Sequence, residues 1–401
     1  MANLLPVKDA LRQILADVVP VGEEIVALDD ALGRTLAMPV IAERDQPPFH
    51  ASAMDGYAVR FEDVVGKTPM LKLVGLSRAG HGFAERLKPG EAVRIFTGAP
   101  VPEGADAVVV QENVTADGDR VQVNEAESRP RHIRKKGLDV ARGDMLIAAG
   151  TLLTARHIGL AASANQAHLA VRRKPVIAIL PTGDELVEPG SLPRDDQILS
   201  SNNHALSSFV RSFGGLAVDL GIVGDTLPAL EAAIERGLDA DVLVTIGGAS
   251  VGDHDLVQEA LVRSGLKLAF WRLAIRPGKP LMFGHLEGKR VLGLPGNPVS
   301  ALVCARVFLH PLMMALLGRT AGDDVETVPL AEGLKANDER QDYIRAKLVR
   351  DAGGRLCARA MEIQDSSMQR SLANADCLII RPPHAPTAEA GSAVEILRLD
   401  F

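Results

Sequence analysis

A chain of 401 residues is longer than one hydrophobic core usually organises, so two to four domains are expected. Hydrophobic residues at 47% and charged residues at 24% are the proportions of a folded globular chain and exclude intrinsic disorder. A formal net charge of −7 excludes general nucleic-acid binding, which relies on a broad positive surface. Three cysteines, Cys304, Cys357 and Cys377, are too few and too scattered for a disulfide framework or a zinc ribbon and read as buried thiols. No apolar run reads as long enough to span a membrane. The start MANLLPVKDALRQIL lacks the order of a signal peptide, so a cytoplasmic address is expected.

From Val7 to Val18, the apolar residues Ala10, Leu11, Ile14 and Leu15 follow the helical period, and IVALDDALGRTLAMPV predicts a second helix bounded by Gly33 and Pro39. From about Gln46 the pattern changes to short β-branched runs, MLKLVGL, EAVRIFTG, DAVVVQENV and RVQVNEA, separated by Gly, Pro and Asp-Gly turns. TLLTARHIGLAASANQ returns to helix behind a Thr154 N-cap, and AHLAVRR leads out as a strand. The domains expected are therefore a discontinuous helical one (1–45 with 140–173), a β insertion (46–139), an α/β domain (174–318) and a small C-terminal β domain, barrel or sandwich (319–401). The alternation of strand and helix after Lys174 implies right-handed crossovers onto a mostly parallel sheet, closed by the hairpin LMFGHLEGKRVLGLPG.

Four apolar runs of the α/β segment end in polar turns. PVIAILPTG delivers Asp184 and Glu185, LAVDLGIVGD delivers Asp225, DVLVTIGGASVGDHD delivers Asp253 and Asp255, and LAFWRLAIRPGKP delivers Arg276 and Lys279. In an open parallel sheet the ligand binds beyond the carboxyl ends of the strands, so these loops point to one anionic, phosphate-bearing ligand. Taken singly each has a plainer reading. Asp184 and Glu185 suit Mg²⁺ or a general base, or else a capped turn. The segment Gly247 to Asp255 suits a phosphate cradle but lacks the Lys and Ser/Thr of a Walker A loop. Arg276 and Lys279, set between prolines, suit an oxyanion or an ordinary basic turn. Convergence of the four loops favours the functional reading.

Outside that segment, HASAMDGYAV carries Asp55, IFTGAP presents Thr97 and Gly98, and RPRHIRKKGLD concentrates positive charge that reads as a solvated loop or a steering patch. Trp271 and the scattered histidines read as core and surface residues.

The strings SAMDGYA, FTGAP, PTGDEL, GGASVGDHD, RPGKP and GLPGNPVSA, in this order, closely resemble the molybdopterin molybdenumtransferase family, the molybdenum cofactor biosynthesis protein A type that includes the gephyrin E domain. The resemblance covers essentially the whole chain. It implies a multidomain α/β plus β architecture: a discontinuous helical domain, a β insertion domain, a central α/β domain and a C-terminal β-barrel. It also implies a homodimer whose cleft lies between the α/β domain of one subunit and the β insertion of the other.

By resemblance the substrate is adenylylated molybdopterin, into which molybdate is inserted with release of AMP, and a divalent cation, Mg²⁺, is required. The catalytic positions implied are Asp55, Thr97, Glu185, Asp225, Asp255, Arg276 and Lys279, with Glu185, Asp225 and Asp255 as metal ligands and Arg276 and Lys279 as molybdate anchors. Substrate contact is implied for Asp139, Gly183, Asp184 and Asn202. It is implied also for Gly247, Gly248, Ser250 and Gly252, and for Pro295, Gly296, Asn297 and Pro298. Many relatives carry lysine where this chain has Arg276, which replaces a point charge with a planar fork. Competing readings are a molybdopterin adenylyltransferase, which would need only the α/β domain, a non-catalytic scaffold, and a paralogue tuned to tungstate. A transient contact with the adenylyltransferase is a further expectation.

Overall fold

The computed structural model describes residues 4–247, 256–320 and 324–401. The chain divides into two compact units, one made of Ile25–Leu32 and Met38–Leu169, the other of Met1–Glu24, Gly33–Ala37 and Ala170–Phe401.

In the first unit, β1 (Gly56–Val59), β2 (Met70–Ser77), β3 (Glu91–Ile95), β4 (Ala107–Val110), β5 (Val114–Asp117) and β6 (Arg120–Val123) form one sheet in the order β4-β1-β3-β2-β6-β5. Successive residues of a strand face opposite sides, and both sides are covered here. Tyr57, Val59, Ala92, Val109 and Val121 pack on one side, and Ala58, Val93, Ile95 and Val108 on the other. The helix predicted after Thr154 is α2 (Ala155–Ser163), whose entry is held by a hydrogen bond from Thr154 N–H to His157 Nδ1 at 3.1 Å.

The second helix predicted from IVALDDALGRTLAMPV does not form. Glu23–Ala27 is extended and only Leu28–Asp30 makes a single 3₁₀ turn. Ile25 and Val26 are β-branched and favour the extended chain. Gly33 at φ +74° and Pro39 then leave no room for helical turns. The first helix does form, as α1 (Val7–Leu15), with Val7, Ala10 and Ile14 buried.

The second unit is built on a sheet of β7 (Val176–Pro181), β8 (Leu216–Asp219), β9 (Val242–Ile246), β10 (Lys267–Trp271), β11 (Met282–Leu286) and β12 (Lys289–Leu294), in the order β8-β7-β9-β12-β11-β10. The pairs β8/β7, β7/β9 and β9/β12 are parallel, whereas β11 is antiparallel to both of its neighbours. Five strands therefore run one way and only β11 runs against them. The inner strands β7, β9, β11 and β12 are buried on both faces, which is why they read as near-continuous apolar runs, whereas the edge strands β8 and β10 are largely exposed. Ile177, Ile179, Val242 and Val244 pack with α3 (Asn202–Ser212) and α6 (Pro298–Leu316), while Ala178, Leu180 and Leu243 pack with α4 (Leu227–Gly237) and α5 (Leu256–Arg263).

Helix α6 corrects the reading that no apolar run is long enough to span a membrane: it has 19 residues and a stretch within it has a mean hydropathy of 1.8, but 83% of that stretch is buried. It is the core helix of this unit. A π turn at Ala305–Leu309 interrupts it, and Arg306 and His310 there are buried and bonded at 3.1 Å. All three cysteines are buried free thiols, as the composition implied.

The remaining strands are β13 (Val325–Pro329), β14 (Gln341–Arg350), β15 (Leu356–Ala360), β16 (Cys377–Arg381) and β17 (Ala393–Arg398). Their order is β14-β16-β17-β13, with β15 on the other side of β14. Ala331 N–H donates to Ala358 O at 2.8 Å, which brings the end of β13 to β15. The free edge of β14 also accepts the segment Ile275–Arg276 in parallel register, Ile275 opposite Gln341 and Arg276 opposite Asp342. The α/β sheet and the C-terminal sheet are thus stitched by main-chain pairing.

Candidate active site

Because β7, β8, β9, β10 and β12 share a direction, the turns that follow them leave the same edge of the sheet. Main-chain bonds carry the pairing past the strand ends: Thr182 N–H to Ile246 O at 3.2 Å, Gly183 N–H to Val223 O at 3.1 Å and Gly247 N–H to Leu294 O at 3.1 Å. Gly183 sits at φ +146°, and a β-carbon there would collide with the Glu185 carboxylate. A glycine at this position is what lets Glu185 fold back over the turn.

Asp184 Oδ1 accepts the Asp225 N–H at 3.0 Å, so the loops after β7 and β8 are tied together. The Asp225 carboxyl is held above the usual range, first by partial burial and then by the negative charges of Asp184 and Glu185. Carboxylates crowded in this way suit a hard divalent cation, which commonly takes one or two carboxylates and completes its shell with water and substrate phosphate. Among the described residues no three His, Cys, Asp or Glu side chains are grouped at metal-ligand spacing. The positions Gly248, Ser250, Gly252 and Asp255 lie outside the described residues, as does Asp253.

Beside this edge is a cavity of about 500 Å³, lined by Gly247, by the segment Ile275 to Pro280, by Pro295, Gly296, Asn297 and Ser300, and by Arg340 and Ser366. Its walls are cross-braced. Asn202 Nδ2 donates to Gly296 O at 2.6 Å, Asn297 Nδ2 to Ser366 Oγ at 2.8 Å, and Val299 N–H to Ser366 O at 3.1 Å. Pro298 opens α6, where its missing N–H costs nothing. Gly278 adopts φ +107° and packs so closely that a β-carbon there would overlap Cys304 Sγ.

From the sequence, Arg276 and Lys279 are expected to anchor an oxyanion together, and the structure gives the two side chains different surroundings. Arg276 is bonded to Asp338 and, through Nη1, to Asp342 Oδ2 at 3.0 Å. Lys279 is exposed and has no ion-pair partner among the described residues. A third positive group lining the cavity is Arg340, which sequence reasoning missed; like Arg276 it is paired with Asp338, its Nη2 reaching Oδ2 at 3.2 Å. The charge-dense string KANDERQDY was the signal, but only strand pairing reveals that it faces RPGKP.

In the first unit, Asp55 Oδ1 accepts both the N–H and the Oγ1 hydroxyl of Thr97, each at 2.7 Å. The Thr97 N–H, then its hydroxyl, hold the Asp55 carboxyl below the usual range, and the nearby Arg94 charge acts in the same direction. MDGYA and FTGAP are therefore one polar constellation. Asp139 lies exposed on a loop anchored by its N–H to Gln46 O at 3.0 Å. In the basic run, Arg131 pairs with the buried Glu127 at 2.7 Å and Lys136 with Asp45 at 3.3 Å.

An open α/β sheet with carboxylates and cations gathered at its carboxyl edge, in a chain that also carries two further sheets, defines a multidomain α/β plus β protein. Residues 5–165 match the MoeA N-terminal region (domain I and II), 178–315 the probable molybdopterin binding domain, and 327–399 the MoeA C-terminal region (domain IV). The molybdopterin molybdenumtransferase of Haemophilus influenzae is 34% identical over 381 residues, covering 94% of each chain. That of Nostoc sp. is 35% identical, covering 94% of this chain and 88% of its own. The structure also superposes on a molybdopterin biosynthesis MoeA protein of Pyrococcus horikoshii with a TM-score of 0.88 at 30% identity, covering 100% of both chains. The chain belongs to the molybdopterin molybdenumtransferase family.

Proposed function

We propose that the protein inserts molybdenum, supplied as molybdate, into adenylylated molybdopterin and releases AMP. The observation that carries this reading is the cavity, which Lys279 and Arg340 line together with Pro295, Gly296 and Asn297, at the sheet edge whose other loops carry the Asp184, Glu185 and Asp225 carboxylates. Molybdate is a tetrahedral dianion that accepts hydrogen bonds and donates none. Lys279 and Arg340 bind it, and the Ser366 and Asn297 pair shapes the wall against it.

Glu185 and Asp225, together with Asp255, would hold Mg²⁺. When bound, such an ion supplies neutralisation of the charge that develops as the pyrophosphate is cleaved. The Asp184 carboxylate orders the Asp225 loop by accepting the Asp225 N–H. Asp55, kept ionised by Thr97, orients the substrate or the attacking water. The two residues sit in adjoining turns at one end of the first unit's sheet, and we take the working assembly to be a homodimer in which this pair and Asp139 serve the α/β domain of the partner subunit. The C-terminal sheet, with Leu330 joined to Ala358, is read as a closed barrel, and the protein as a cytoplasmic one that takes its substrate from the adenylyltransferase.

The experiment is release of AMP from adenylylated molybdopterin by the purified protein, with and without molybdate and Mg²⁺. Molybdate-dependent AMP release with cofactor formation is expected. Tight substrate binding without turnover would instead indicate a scaffold.

A further inference from the structure

Arg276 lines the cavity with its charge already balanced. Register with β14 places Asp342 opposite it, and the turn before β14 places Asp338 against its other Nη. Asp338 is itself fixed: Oδ1 accepts the Arg340 N–H at 3.0 Å, and its own N–H donates to Asn337 Oδ1 at 3.0 Å. The Asn337 amide in turn donates to the carbonyls of Arg340, Arg381 and Pro382. The Asp342 side chain is 12% exposed and its Oδ1 is buried with no hydrogen-bond partner among the described residues. Arg276, Lys279 and Arg340 therefore face the ligand space with two carboxylates behind them, which leaves one net positive charge.

We propose that Asp338 and Asp342 are positioning residues that set the selectivity of this cavity among tetrahedral dianions, by locking the Arg276 fork and cancelling most of the positive charge around it. The inference rests on the reading of the cavity as the molybdate site. In a cavity with three uncompensated cations, attraction acts on any dianion whatever its size. Sulfate, doubly charged at neutral pH, would then compete directly. With the charge nearly balanced, a dianion is held only if its oxygens meet the fixed N–H donors. The longer metal–oxygen bonds of molybdate and the shorter sulfur–oxygen bonds of sulfate call for different donor spacings, and a fixed set of donors serves one better than the other. The carboxylates thus act against the wrong ligand rather than for the right one.

The test is calorimetric titration of the full-length protein with molybdate and with sulfate, for wild type, Asp338→Asn, Asp342→Asn and the control Glu332→Gln. The control removes a carboxylate from the Arg359 pair on the same chain segment. Each Asn variant should bind sulfate about tenfold tighter while molybdate affinity changes less than about threefold, and the control should behave as wild type. In molybdate-dependent AMP release, added sulfate should raise the KM for molybdate in the Asn variants and leave kcat unchanged. An unaltered molybdate-to-sulfate ratio in a natively folded Asp338→Asn overturns the inference. Asp338 is 38% exposed, so this variant decides the matter if Asp342→Asn fails to fold. A wild-type protein that binds no molybdate removes the site reading and the inference together; one that binds molybdate, with variants of unchanged selectivity, removes the inference alone.

Discussion

Replacing Gly278 by alanine strikes the loop that presents Arg276 and Lys279, and the structure indicates how much it should cost. At φ +107° an L-residue is strained by about 1–3 kcal/mol. The new β-carbon would also overlap Cys304 Sγ, and overpacking of this kind costs a further ~1–3 kcal/mol. Gly278→Ala should therefore lose about 2–6 kcal/mol, or shift the loop and raise the KM for molybdate. Cys304→Ala alone removes one buried heavy atom and should cost about 1 kcal/mol. In the double variant the overlap is gone and only the backbone strain remains, so the two changes should couple favourably by about 1–3 kcal/mol. Denaturant unfolding of the four proteins, paired with AMP-release kinetics, measures this coupling. A Gly278→Ala protein with wild-type stability and KM, or a double variant whose losses simply add, would refute the packing argument.

Asp241 accepts two bonds from Arg173, at 2.7 and 2.6 Å, and one from Val176 N–H at 2.7 Å, so Asp241→Asn should destabilise by about 2 kcal/mol, allowing for the half-exposed Arg173. Burial alone would raise this carboxyl, but the Arg173 and Val176 bonds carry it below the usual range. Its contribution is therefore complete above the ordinary carboxylate pKa and lost as pH falls through the depressed value, so the difference between variant and wild type in pH-dependent unfolding should shrink in acid below about pH 4. Lys279→Ala should raise the KM for molybdate about tenfold with a smaller change in kcat; an unchanged KM would place the anion elsewhere. Glu185→Gln should keep its stability within about 0.5 kcal/mol and lose AMP release. Mixed dimers of Glu185→Gln with Asp55→Asn should recover activity if the site is shared between subunits, and their failure would argue for a site within one chain.

What was legible in the sequence was local. PTGDEL and GLPGNP mark strand ends because glycine and proline impose turns within a few residues, and the same punctuation located Gly183 beside Glu185 and Pro298 at the start of α6. The apolar pattern of IVALDDALGRTLAMPV between its bounding Gly33 and Pro39 suggested a helix, but β-branching at Ile25 and Val26 outweighed it. The hidden part was non-local. Arg276 and Asp342 are 66 positions apart, and nothing in RPGKP announces that its arginine lies opposite a carboxylate supplied by another sheet. Periodicity reports which face of a strand is buried, not which distant strand lies alongside it.

The stitch of Ile275–Arg276 to Gln341–Asp342 bears on the order in which the molecule becomes competent during synthesis. All six strands of the α/β sheet and the whole of helix α6 precede residue 320, so that sheet can form while the rest is still emerging from the ribosome. The cavity cannot. Its wall includes Arg340 and Ser366, and Arg276 acquires its fixed orientation only after Asp338 and Asp342 have emerged. A nascent chain therefore lacks the complete cavity wall until Arg340 and Ser366 have folded against it, and the oxyanion binding proposed above is a property of the finished subunit alone.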